Sequence, residues 1–137
     1  MLRRQLIRHG EAIVLIALGG IVGANLRYAV GAAAGDALLV TLLVNTIGSF
    51  GLGLLLFDAR ADEFLTKRLR YVFGTGFFAS FTTYSTFVAD IALTAPELAV
   101  PYIIASYASG FGGVLVSRKI VTRTSTTAIQ PPSPGDD

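Results

Sequence analysis

No cysteine and no tryptophan occur in the 137 residues, and histidine occurs once, at His9. Disulfides, thiolate metal centres and Cys/His nucleophile pairs are thereby excluded, and there is no indole to cage a cation. Charge is scarce as well: Asp, Glu, Lys and Arg make up 15% of the chain, where soluble domains carry about 25%. Hardly any carboxylate falls inside the apolar stretches. The chain therefore offers no general acid/base pair and no zinc-type cluster, and enzyme chemistry is not expected.

What is present is long hydrophobic runs. Apolar residues reach 53% and the mean hydropathy is +0.63. Crossing a bilayer core of about 30 Å takes about 20 apolar helical residues, and four runs qualify: 12–34, 37–57, 69–95 and 98–117. Helix is expected over strand because a lone helix satisfies its own backbone in lipid. The links at Gly35-Asp36 and Pro96-Glu97 are so short that consecutive helices must be antiparallel neighbours. The expectation is an all-α integral membrane protein, with four transmembrane helices in residues 1–117. Residues 118–137 turn polar, end in IQPPSPGDD and read as a disordered tail. The basic start MLRRQLIRHG followed by an apolar run resembles a signal peptide. That run is too long for one, however, and three more spans follow, so a retained helix is expected.

The isoelectric point near 9.2 comes from basic residues that cap the apolar runs, which points to lipid headgroups and topology rather than nucleic acid. With four helices, one side of the membrane holds Arg3, Arg4, Arg8, Arg60, Lys67, Arg68, Arg70, Arg118, Lys119 and Arg123. The other holds Arg27, with Asp36, Asp90 and Glu97. The positive-inside rule then places both termini in the cytoplasm of a cell-membrane protein.

Small residues recur at four-residue spacing (Gly19-Gly23, Gly31-Gly35, Ser49-Gly53, Ser106-Gly110, Ser109-Gly113), which lets helix backbones approach closely in lipid. Polar residues at membrane depth are costly unless they are paired or face water. Asn45, mid-way along the second run, either donates hydrogen bonds to an anion or joins two helices. In the third run, GFFASFTTYSTF places five hydroxyl side chains in succession, Thr82, Thr83, Tyr84, Ser85 and Thr86. Such density rebonds freed backbone groups and permits a break in the helix, and broken helices near the midplane expose carbonyls that hold a cation. Tyr84 and Phe87, three apart, share a helix face. Their positive ring edges either line a path for a small anion or simply pack. Arg27 either snorkels to the interface or makes one mouth of a pathway electropositive.

Together these residues resemble the CrcB/Fluc family of fluoride channels, over all four helices. GGIVGANLRY (19–28) is similar to the family's first-helix G-G-x-x-G-A-x-x-R-Y/F, and VNTIGSFGLG (44–53) to its second-helix Asn-x-x-Gly. Residues 76–87 are similar to its third-helix G-x-x-G-G-F/L-T-T-F-S-T-F, the most specific of the three. The resemblance implies an antiparallel dimer with fluoride pores near the subunit interface. It makes Asn45 the pore asparagine and Tyr84 and Phe87 the pore aromatics, with Ser85 and Arg27 as further candidates on the anion pathway. It also implies a structural sodium ion at the dimer centre, held by main-chain carbonyls that correspond to Ala79 and Thr82. Two positions depart from the pattern: the family's Gly-Gly is Ala79-Ser80, and its first pore aromatic, usually Phe, is Tyr84.

The function expected is passive, fluoride-specific efflux that lowers cytoplasmic fluoride. The rivals are a small proton-coupled exporter of cationic drugs, which needs a carboxylate at membrane depth such as Glu11 or Asp90, and a non-transporting assembly subunit. The ten-to-one Lys/Arg bias argues for one fixed orientation. The partner in an antiparallel dimer is then expected to be a related chain of opposite orientation, a homodimer being the alternative.

Overall fold

The computed structural model describes residues 2–57 and 68–127, and every regular element among them is helical. Helix α1 is Leu2–Ala34 and α2 is Ala37–Phe57. The third helix is in pieces. Its first part, α3, winds Arg70–Phe78 as a π-helix and continues through one α-turn, Ala79–Phe81. The backbone extends at Thr82 and Thr83 and then re-enters helix as α4, Tyr84–Leu93. The last helix, α5, is Pro96–Thr127. His9–Ala34, Ala37–Phe57 and Pro96–Arg123 are each long and apolar enough to cross a membrane. The third helix falls at the expected place and is broken within its run of hydroxyls.

The outer helices overrun their expected limits. α1 begins at Leu2 instead of residue 12, and α5 runs to Thr127 instead of 117. Hydropathy marks where a helix leaves the hydrocarbon, and a helix of more than 30 residues is about 50 Å long, well beyond a core of about 30 Å. Residues 118–127, expected to begin a disordered tail, are therefore helical. Residues 128–137, with Arg60 and Lys67, lie outside the described residues.

Local chemistry sets the connections. Gly35 takes a left-handed φ of 70°, which a side chain would resist. Asp36 then caps α2, its Oδ1 accepting the Leu39 N–H at 2.9 Å. Pro96 opens α5 at the first helical position, where no N–H is needed.

α1 packs along α3, and α2 along α5. The buried core is small: Val40, Val44 and Phe81, with Val30 and Phe77 against it. Large apolar side chains face outward instead, among them Ile13, Leu18 and Ile21 on α1 and Ile104, Phe111 and Leu115 on α5. In water that distribution would be unstable; in lipid it needs no burial, and cohesion falls to close packing and polar contacts. Gly53 illustrates the packing. A methyl there would overlap Ser117 Oγ, which is fully buried and bonded to the Val114 carbonyl at 2.7 Å. Gly53→Ala is expected to cost about 1–3 kcal/mol, read as a lower unfolding midpoint in detergent. Adding Ser117→Ala should recover part of the loss by removing the overlapped oxygen.

Candidate functional site

The break in the third helix is built around Asn45. In a continuous α-helix the Thr83 N–H would donate to the Ala79 carbonyl, four residues back. Here it donates to Asn45 Oδ1 at 2.8 Å, and Asn45 Nδ2 donates to the Thr83 carbonyl at 3.1 Å. One side-chain amide thus satisfies both backbone groups of the residue at the break, and its orientation is fixed by them. The Ala79 carbonyl is left without the N–H a continuous helix would have given it. Ala79 itself sits at φ −66°, ψ −28°, a region open to any residue, so alanine in place of the resembled family's glycine carries no backbone strain.

The hydroxyls do the rest. Thr82 Oγ1 bonds the Phe78 carbonyl at 2.8 Å, beside the backbone bond from Thr82 N–H to the same oxygen at 3.0 Å. Thr83 caps α4: its Oγ1 accepts the Thr86 N–H at 3.1 Å and donates to Thr86 Oγ1 at 2.8 Å. Ser85 Oγ lies 3.4 Å from Thr83 Oγ1.

A cavity of about 300 Å³ opens beside the break, lined by Asn45, Ser49, Thr82, Thr83, Tyr84, Phe87, Ser106 and Tyr107 among others. A second, of about 230 Å³, shares Asn45, Ser49, Ser106 and Tyr107 with it and extends past Gly110 and Phe111 to Val114. No charged side chain lines either one. The aromatic rings form a connected set. Phe87, buried, lies 6.0 Å from Tyr84, 5.6 Å from Tyr102 and 5.8 Å from Tyr107, the last edge to face. Tyr84 is 72% exposed in the single chain, the most open ring of the set.

Of the residues singled out in the sequence, Asn45, Tyr84, Phe87, Ala79 and Thr82 come together at this cavity. Ser85 is exposed, and Arg27 is half-buried on α1; neither lines either of these two cavities. The last helix adds residues that the sequence marks only for close packing, as Ser106 and Gly110, or not at all, as Tyr102. Ser106 Oγ is buried with no partner at hydrogen-bonding distance. Tyr102 bonds Asp90 Oδ2 at 3.2 Å and braces Phe87. Tyr102, Ser106 and Gly110 recur at four-residue spacing, one face of a helix, and that periodicity was the available signal.

An uncharged cleft with amide and hydroxyl donors and ring edges suits a small anion that must be held weakly enough to leave. It does not suit a proton-coupled exporter, since neither candidate carboxylate reaches it. Glu11 pairs with Arg68 at 2.6 Å, and Asp90 is engaged by Tyr102. Among the described residues no three His, Cys, Asp or Glu gather as a metal site.

Comparison with known proteins agrees with this reading. Residues 14–118 match the family described as CrcB-like protein, Camphor Resistance (CrcB). The fluoride-specific ion channel FluC 1 of Haloarcula marismortui is 50% identical over 111 residues, covering 81% of this chain and 86% of that protein. FluC 2 of Halobacterium salinarum is 45% identical, covering 80% and 86%, and FluC 1 of Natronomonas pharaonis 38% identical, covering 81% and 94%. No solved structure matches.

Proposed function

This chain belongs to the CrcB/FluC family, and from that membership we propose that it is a subunit of a fluoride-specific channel. Fluoride leaves through it passively, down its gradient, and cytoplasmic fluoride falls. The observation that carries this reading is the convergence of Asn45, Tyr84, Phe87 and Ser106 on one uncharged cavity at a helix break. Asn45 uses one amide hydrogen on Thr83 and keeps the other for the ion. Ser106 offers an unengaged hydroxyl further along, and the ring edges of Tyr84 and Phe87 attract the anion without trapping it. Arg27 and Ser85 stand outside the cavity of the single chain; in this reading they act at its approaches.

Assembly completes the path. Tyr84, so open in one chain, gains its other wall from a second subunit packed antiparallel, with both termini of this chain on the cytoplasmic side. The donor chemistry at the break fits a hard cation: the carbonyls of Ala79 and Thr82 would hold a structural sodium ion, the former freed because Asn45 takes its helical partner. Sodium bound there would supply fixed positive charge beside the break. The chain's own part is to free and hold those carbonyls.

The test is fluoride-electrode recording of efflux from proteoliposomes holding this chain and its partner. Fluoride should leave while loaded chloride stays; equal release of both would overturn the reading. Tyr84→Phe should leave efflux within about threefold of the native rate, because the ring supplies the positive edge, whereas Tyr84→Leu should lower it by about tenfold or more. Equal rates for the two variants would remove the ring from the mechanism.

A further inference from the structure

The π-wound stretch Arg70–Phe78 is long for its kind. Such winding is rare and mostly limited to a single turn inserted in an α-helix, frequently at a functional site. It lies directly upstream of the break, between two fixed points. At one end Arg68 pairs with Glu11 of α1. At the other, Phe81 is buried with Val40 and Val44, and Thr83 is bonded to Asn45.

α1 touches this stretch through backbone. A methyl on Gly19 would overlap the Val72 carbonyl oxygen and come within 2.9 Å of Phe77 N. A methyl on Gly23 would overlap the Phe77 carbonyl oxygen and come within 3.1 Å of Phe81 N. Val72 and Phe77 are five residues apart, the span of a π-turn; Phe77 and Phe81 are four apart, the span of an α-turn. The winding thus changes from π to α between the two glycines. Gly19 and Gly23 are themselves one α-turn apart on α1. They can receive carbonyls 72 and 77 on one face only if the intervening turn holds five residues. Wound as an α-helix, positions 72 and 77 would point about 140° apart.

We infer that the notch formed by Gly19 and Gly23 selects the π winding of α3, and that this winding sets which residue of the third helix meets Asn45. Lost winding would turn everything after it, taking Phe81 from the core and Thr83 from Asn45. Gly19 and Gly23 are therefore positioning residues for the anion site, although neither touches its cavity. The inference rests on the channel reading for its efflux measurement only; the register is read separately.

Because the chain has no cysteine, register can be read by disulfide trapping. Gly20 and Ser80 face each other, a methyl on Gly20 standing 3.2 Å from Ser80 Oγ. The pair Gly20→Cys with Ser80→Cys should cross-link readily in membranes. Adding Gly23→Ala should lower both the cross-linking rate and fluoride efflux by about tenfold. Deletion of the exposed Thr75 leaves the two contacts four residues apart, which an α-turn spans. That deletion should keep the cross-link and leave efflux within about tenfold of native. In an ordinary helix the same deletion would rotate the break by about 100° and abolish both. Native cross-linking in the Gly23→Ala chain would overturn the inference. So would loss of the cross-link on deleting Thr75, or failure of that chain to accumulate in membranes. If cross-linking behaves as stated while no variant, nor the native pair, conducts fluoride, the channel reading fails and the register inference stands.

Discussion

Asn45→Asp, made in the chain together with the matching change in the second subunit proposed for it, is expected to bring fluoride efflux to the background of empty vesicles. Two effects act in the same direction. The carboxylate puts a negative charge beside the path, and like charges about 4 Å apart repel by roughly 4 kcal/mol at an effective dielectric of about 20. That alone is about a thousandfold in occupancy. The second effect is local. Asn45 Nδ2 donates to the Thr83 carbonyl at 3.1 Å, and aspartate would set an oxygen against that oxygen, loosening the break that shapes the cavity. Asn45→Leu separates the two. It removes the clamp without adding charge and leaves the Thr83 N–H unpaired, at about 1–3 kcal/mol, while the Thr83 carbonyl keeps the first helical bond of α4. Efflux should fall less with Leu than with Asp, although the unfolding midpoint falls with both. Native efflux from the Asn45→Asp vesicles would remove Asn45 from the pathway.

That the spans and the break were readable in advance follows from the physics of lipid. A helix crossing hydrocarbon must be apolar over its whole surface, so its position stands out in a window of about 20 residues. A break at membrane depth needs hydroxyls to rebond its freed groups, so Thr82, Thr83 and Thr86 announce it. The same all-round apolarity hides which face points where. Tyr102 and Ser106 stood out on α5 only by their four-residue spacing with Gly110, which marks a shared face without assigning that face to a cavity. The π winding of α3 was illegible too, because no run of side chains encodes a five-residue turn. It shows in the match between a glycine pair on α1 and carbonyls on α3, which is a tertiary property. Helix ends were misplaced for a related reason: the polar start of α1 and end of α5 continue as helix beyond the apolar window that marked them.

Expressed by itself, the chain is expected to insert in one orientation only and to give vesicles no more permeable to fluoride than empty ones. In the four-span topology ten of its eleven Lys and Arg residues lie on one side. Each basic residue near an anionic leaflet contributes about 1 kcal/mol, so the inverted chain would be disfavoured by far more than thermal energy. An antiparallel pair needs one subunit each way, and a strongly biased chain cannot supply both. Co-expression with a related chain of reversed bias should restore efflux, and removing this chain's bias should do the same without a partner. Arg118, Lys119 and Arg123 are exposed on the last helix, and Arg68 and Arg70 stand at the start of the third. Exchanging all ten except Arg68, whose pair with Glu11 is kept, for glutamine leaves one basic residue on each side and the cavity residues untouched. Reporter fusions at the C-terminus should then report both orientations, and efflux should appear from this one chain. Dual orientation of the native chain expressed alone, or efflux from its vesicles, would mean that two copies suffice. The positive charge at the helix ends would then serve lipid contact and not the choice of partner.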